Sequence, residues 1–89
     1  MIAKKITFSG RVQGVGFRFT AHNIAGRYGL FGYVRNLHNG SVEMLIQGSL
    51  ADIDSCLDEL NDEFKGYIAE TEIEELSADT NLTSFKITF

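Results

Sequence analysis

Apolar and polar residues alternate from the start of the chain: Ile6, Phe8 and Val12 stand among Lys5, Thr7, Ser9 and Arg11, the two-residue period of a strand with one buried face. The period then lengthens. Phe17, Ala21, Ile24, Ala25 and Tyr28 recur at the spacing of one helix face, and Gly29 follows where a helix end favours a left-handed residue. Two strand-like runs, FGYVRNL from Phe31 and SVEMLIQ from Ser41, flank HNG, which predicts a tight hairpin with Asn39 and Gly40 at positive φ. Leu50, Ile53, Leu57, Leu60 and Phe64 mark the core side of a second helix, with Ser49 as its N-cap and Asp52 in its first turn. Alternation returns through Tyr67, Ala69, Thr71 and Ile73 and again through Phe85, Ile87 and Phe89, which gives two last strands.

The predicted order is therefore β-α-β-β-α-β-β. Strands with one apolar face need one covering layer, so both helices are expected on the same side of an antiparallel sheet. Right-handed crossovers put the third strand between the first two, the split β-α-β arrangement of ferredoxin-like folds, and the class is α+β. The pattern leaves the neighbour of the last strand open. A length of 89 residues suits one domain, residues 1–89. No apolar run reaches the length of a membrane span, and the start lacks the features of a signal peptide, so a cytoplasmic protein with no membrane partner is expected. Cys56 is the only cysteine, which excludes an internal disulfide and agrees with a reducing compartment.

Charge is distributed unevenly. Six of the eight basic residues precede Glu43, the first acidic one, so an anion site belongs in the first half of the chain. The net charge of −4 argues against a nucleic-acid partner. Within that basic half, GRVQGVGFR at residues 10–18 is the turn from the first strand into the first helix. Unpaired N–H groups and the positive end of the helix dipole meet there, Gly14 and Gly16 allow successive amides to form a concave nest, and Arg18 adds a two-pronged donor. The loop is neither a Walker loop, since no Gly-Lys-Ser/Thr follows, nor a dinucleotide fingerprint, since Phe19 takes the last glycine position. Alone, such a turn more often serves only as a turn. Eighteen residues on, Asn36 lies on a strand, where asparagine is disfavoured, on the same face as Val34; ending the strand and capping the hairpin is its other use.

Taken together, GRVQGVGFR at 10–18, GLFGYVRNLHNGSVEMLIQG at 29–48 and the order of elements resemble the acylphosphatase family over essentially the whole chain. The resemblance implies a metal-independent, cofactor-free hydrolase that cleaves small acyl phosphates to a carboxylate and phosphate. It implies that the backbone of Gln13, Gly14, Val15, Gly16, Phe17 and Arg18, with the Arg18 side chain, holds the phosphoryl group, and that Asn36 positions the attacking water. Inorganic phosphate is then product and inhibitor, and a monomer is expected. Leu37 stands where a threonine is frequent in the family, Tyr33 where a tryptophan is frequent, and Gly16 where a larger residue is common. Larger hydrogenase-maturation proteins that begin with such a domain are not expected as whole molecules, since the sequence ends at Phe89. His22 and His38 are expected on the surface, Arg11 and Arg35 as solvated strand residues, Cys56 as a partly buried side chain, and ETEIEE as a solvated strand face.

Overall fold

Ile6 and Phe8 are fully buried on one face of β1 (Ile2–Gly10), while Lys5, Thr7 and Ser9 on the other are only partly covered, as alternation requires. The computed structural model describes residues 1–89. After β1 come α1 (Phe17–Arg27), β2 (Phe31–Asn36), β3 (Val42–Gly48), α2 (Leu50–Glu63), β4 (Ile68–Leu76) and β5 (Phe85–Ile87). The order predicted from the pattern is the order observed. The core lies between the helices and one face of the sheet, where Phe17, Ala21, Ile24 and Ala25 of α1 and Ile53, Leu57 and Leu60 of α2 pack on Ile6, Phe8, Val34, Val42, Met44 and Ile46. Phe17 stacks between Phe8, at 4.9 Å between ring centroids, and Phe64, at 4.7 Å, so the first residue of α1 is anchored to both layers.

The sheet order is β4-β1-β3-β2-β5, with β3 between β1 and β2 as the split arrangement demands. The expected antiparallel sheet is instead mixed. β5 runs parallel to β2, with Gly32 opposite Phe85 and Val34 opposite Ile87. The reason is topological: β4 pairs with the outer edge of β1, so the chain must cross to the far edge before β5 forms, and it arrives there running the same way as β2. Gln47 fixes that crossing. Its buried amide donates from Nε2 to the Asp79 carbonyl at 2.9 Å and accepts at Oε1 from the Asp79 N–H at 2.8 Å, pinning segment 77–84.

Several local expectations are corrected. The hairpin is wider than a two-residue turn: Leu37 N–H donates to the Ser41 carbonyl at 2.8 Å, Gly40 N–H to the Leu37 carbonyl at 3.2 Å, and only Gly40 has positive φ, at 91°. This is the three-residue loop closed by a left-handed glycine, which spares Asn39 the unfavourable φ. β1 stops at Gly10 rather than Val12, because a bulge at Ser9 and Gly10 brings the backbone against Tyr67; Val12 is nevertheless buried beneath the loop that follows. Leu50 opens α2 on the solvent side, and Ile73 stays half exposed because α2 covers edge strand β4 only in part. The glutamates of β4 are solvated as expected, with Glu74 reaching Lys5 at 3.6 Å across the sheet.

Candidate functional site

β1 and β2 both run antiparallel to β3, and β5 runs parallel to β2, so the C-terminal ends of these three strands share one end of the sheet. The loop leaving β1 starts α1 at that same end, so the N-terminus of α1 faces it too. One cavity of about 240 Å³ lies there, and Gly14, Gly16, Arg18 and Asn36 all line it. Of the residues singled out from the two sequence blocks, Gly14, Gly16, Phe17, Arg18 and Asn36 meet at this cavity, while Gln13 and Val15 do not line it.

Each component has a local cause. Gly14 at φ 76° and Gly16 at φ 80° hold left-handed conformations, of the kind that let successive amides form a concave nest. The backbone N–H groups from Gln13 to Phe19 donate to no acceptor within the protein. At the N-terminus of α1 the cap is Gly16, with no side-chain hydrogen bond and no acidic residue in the first turn. α2 is built the opposite way: the Ser49 hydroxyl accepts from Asp52 N–H at 3.2 Å, and Asp52 itself lies in the first turn. Hence the first amides and the dipole of α1 have no capping partner within the protein, while α2 carries a side-chain cap and an acidic first turn.

Arg18, one residue into α1, is half-buried and held by the two residues that follow β5. Its Nη1 donates to the Thr88 carbonyl at 3.3 Å and its guanidinium lies 5.1 Å from the Phe89 ring centroid. Asn36 is the last residue of β2, opposite Val42, half-buried on the helix side of the sheet. Gln13 has a part in the site that the sequence did not reveal. Its side-chain Nε2 donates to two carbonyls of the hairpin, Leu37 at 2.8 Å and Ser41 at 2.9 Å, which ties the glycine loop to the turn that follows Asn36. The only signal for this in the sequence is a long amide directly before a glycine turn, with no strand or helix partner of its own.

Other candidates lie elsewhere. Arg11 stacks over Tyr67 at 4.8 Å. Arg35, expected to be solvated, pairs with buried Glu43 at 2.8 Å on the sheet face away from the helices, where the Tyr33 hydroxyl also donates to Glu43 at 2.8 Å. Burial alone would raise the Glu43 carboxyl, but the bonds from Tyr33 and Arg35 and the charges of Arg35 and Lys5 outweigh it and hold the carboxyl below its ordinary value. Cys56, expected to be partly buried, is wholly buried, and burial with the nearby Glu59 charge pushes its thiol up to about 12. It is an inert core residue. His22 sits 6.2 Å from the Phe85 ring, His38 is exposed in the hairpin, and neither lines the cavity.

The family model named Acylphosphatase matches residues 4–87. A curated acylphosphatase from Oceanobacillus iheyensis is 36% identical over 96% of both chains, and one from Koribacter versatilis is 38% identical over 94% of this chain and 77% of its own length. The fold superimposes on the crystal structure of acylphosphatase from Bacillus subtilis with a TM-score of 0.92 over the full length of both chains, at 28% identity. With the family model spanning residues 4–87 and a curated relative matched over 96% of both chains, the chain belongs to the acylphosphatase family.

Proposed function

We propose that residues 1–89 form one catalytic domain that hydrolyses the carboxyl-phosphate bond of small acyl phosphates without a metal ion or cofactor, releasing a carboxylate and inorganic phosphate. The reading rests on one observation above all: unpartnered loop amides, the Arg18 guanidinium and the Asn36 amide converge on one cavity. The amides from Gln13 to Arg18 and the Arg18 fork would bind the phosphoryl oxygens. Negative charge spreads over those oxygens during in-line transfer, so fixed donors stabilise the transition state more than the ground state.

The leaving group explains why so few groups suffice. Its conjugate acid has a pKa of about 4, so at neutral pH the carboxylate departs without a general acid. Asn36 offers a carbonyl acceptor and an amide donor, enough to hold a water in line and to touch the phosphoryl group. No carboxylate or imidazole side chain lines the cavity, so the water's proton passes to an oxygen of the substrate's own phosphate. A loss of rate governed by an enzyme group that disappears in His22→Ala would overturn that proton route.

We also read the protein as a cytoplasmic monomer with no nucleic-acid or membrane partner. Its one thiol is free, and the charged edge strand β4 resists pairing with a second sheet. No helix is long and apolar enough to cross a membrane.

The test follows benzoyl phosphate hydrolysis by absorbance with EDTA present, for the wild type and for Arg18→Ala and Asn36→Ala variants whose folding is checked by circular dichroism. Turnover by the wild type and a loss of roughly 100-fold or more in each folded variant is the expected result. A wild type that binds phosphate but turns nothing over would make the loop a sensor's pocket and overturn the hydrolase reading.

A further inference from the structure

The cavity has one cation and otherwise apolar or uncharged walls. Arg18 is the only charged side chain lining it, and in the reading above the phosphoryl group engages that charge. Two other arginines are engaged elsewhere, Arg11 over Tyr67 and Arg35 with Glu43 on the opposite sheet face. The fold leaves seven large apolar side chains exposed, and two of them, Phe19 at 66% and Phe89 at 96%, border this one cavity. Half-buried Ile87 adjoins them, while Val12 and Phe17 beneath are already buried. Phe19 contributes nothing to the core: it points outward on α1, one residue past the anion-binding arginine.

We propose, resting on the hydrolase reading above, that Phe19 with Ile87 and Phe89 forms the acyl-group subsite, and that it selects apolar and above all aromatic acyl phosphates over those bearing a second carboxylate. Once the phosphoryl group is held by the loop and Arg18, an acyl group must lie along what remains of the cavity wall. An aromatic acyl group removes its own face and the Phe19 face from water and gains ring–ring contact. A second carboxylate on the acyl group finds no free cation there and loses water against aromatic carbon.

Calorimetry with benzoylphosphonate, acetylphosphonate and inorganic phosphate tests this without requiring turnover, since the phosphonates have no scissile anhydride. In parallel, kcat/KM is measured for benzoyl, acetyl and succinyl phosphate. The wild type is expected to bind benzoylphosphonate at least roughly 10-fold more tightly than acetylphosphonate, and to use succinyl phosphate least well. Phe19→Ala, on an exposed helix position that alanine suits, should shrink the benzoyl-to-acetyl ratio about 5-fold while phosphate affinity stays within about 2-fold. Phe19→Leu should keep most of the ratio. An unchanged ratio in Phe19→Ala, or a preference for succinyl phosphate, overturns the subsite. Absent turnover with the binding ratio intact overturns only the hydrolase reading and supports the subsite.

Discussion

Replacing the Gln13 side chain by that of leucine unties the two halves of the proposed site while leaving the loop backbone, Arg18 and Asn36 in place. The side chain donates to the Leu37 and Ser41 carbonyls at 2.8 and 2.9 Å, and leucine of similar size donates to neither. Both carbonyls retain a second donor, since Gly40 N–H serves Leu37 at 3.2 Å and Leu37 N–H serves Ser41 at 2.8 Å. No acceptor is orphaned, so the loss is the net contribution of two hydrogen bonds, about 1–3 kcal/mol in all. In a domain of this size that lowers Tm by several degrees, on the order of 4–8 °C per kcal/mol. The functional effect is separable from this. The loop amides and Arg18 are intact, so phosphate inhibition should change by less than about 3-fold, whereas a cradle free to drift by about 1 Å relative to Asn36 should lower kcat between 10- and 100-fold. The assay is benzoyl phosphate turnover with phosphate inhibition constants, beside urea denaturation. Gln13→Glu is the sharper variant, because an ionised carboxylate opposed to two carbonyls repels both and should cost more stability than leucine at neutral pH. If Gln13→Leu loses the stated stability but keeps kcat within about 2-fold of the wild type, the tie is structural only and the positioning role is refuted. If phosphate inhibition weakens as much as kcat falls, the side chain shapes the cradle itself.

Two glycines with positive φ should respond differently to alanine. At Gly14 an added Cβ meets nothing within 4 Å, so Gly14→Ala should cost about 1–2 kcal/mol of backbone strain and leave a folded protein with weakened phosphate binding. At Gly32 the Cβ would collide with the Leu45 carbonyl oxygen, so Gly32→Ala should lose roughly 4 kcal/mol or more, read as a collapse of Tm with phosphate affinity unchanged in whatever remains folded. Because the Glu43 carboxyl titrates lower in the folded than in the unfolded chain, its contribution is complete above the ordinary carboxylate range and disappears as pH falls through the folded value. Urea denaturation across acid pH should therefore show the wild type losing stability relative to Glu43→Gln, and parallel curves would remove Glu43 from the account. With its thiol pushed up to about 12 and buried, Cys56 should resist a thiol reagent at pH 8 in the native protein and react fully in denaturant; rapid native labelling would show that α2 opens.

The pattern of apolar residues carried the order of elements because each helix and each central strand is buried on one face, and burial of one face is what periodicity records. It failed where burial was incomplete or the deciding contact was distant. Ile73 alternates like a core residue, yet β4 lies at the sheet edge with only partial cover from α2. The parallel direction of β5 depends on segment 77–84 crossing the sheet, and its anchor, Gln47, reads in the sequence as a polar residue on a solvent face. Leu50 belongs to the apolar stripe of α2 by spacing, but it precedes the first packed turn and is exposed. At the hairpin, Asn39 and Gly40 fit a tight turn equally well on local grounds, and the pairing of Leu37 with Ser41 selects the wider loop.

The site was more legible than these details because its two parts are local. Conformations at Gly14 and Gly16 and the first turn of α1 depend on neighbouring residues, so glycines, an arginine and the lack of any cap could be read in place. The contrast between the helices carries the same information. Ser49 and Asp52 satisfy the N-terminus of α2, whereas at α1 a glycine stands at the cap and Arg18 brings positive charge into a first turn that the dipole makes unfavourable for it. That placement opposes the stability of an isolated helix, and the anion proposed to bind there would offset it. The side-chain tie from Gln13 was not legible, because its partners are carbonyls 24 and 28 residues away that only the finished sheet brings within reach. What an anion site needs in donors is written locally; what holds those donors against Asn36 is a property of the fold.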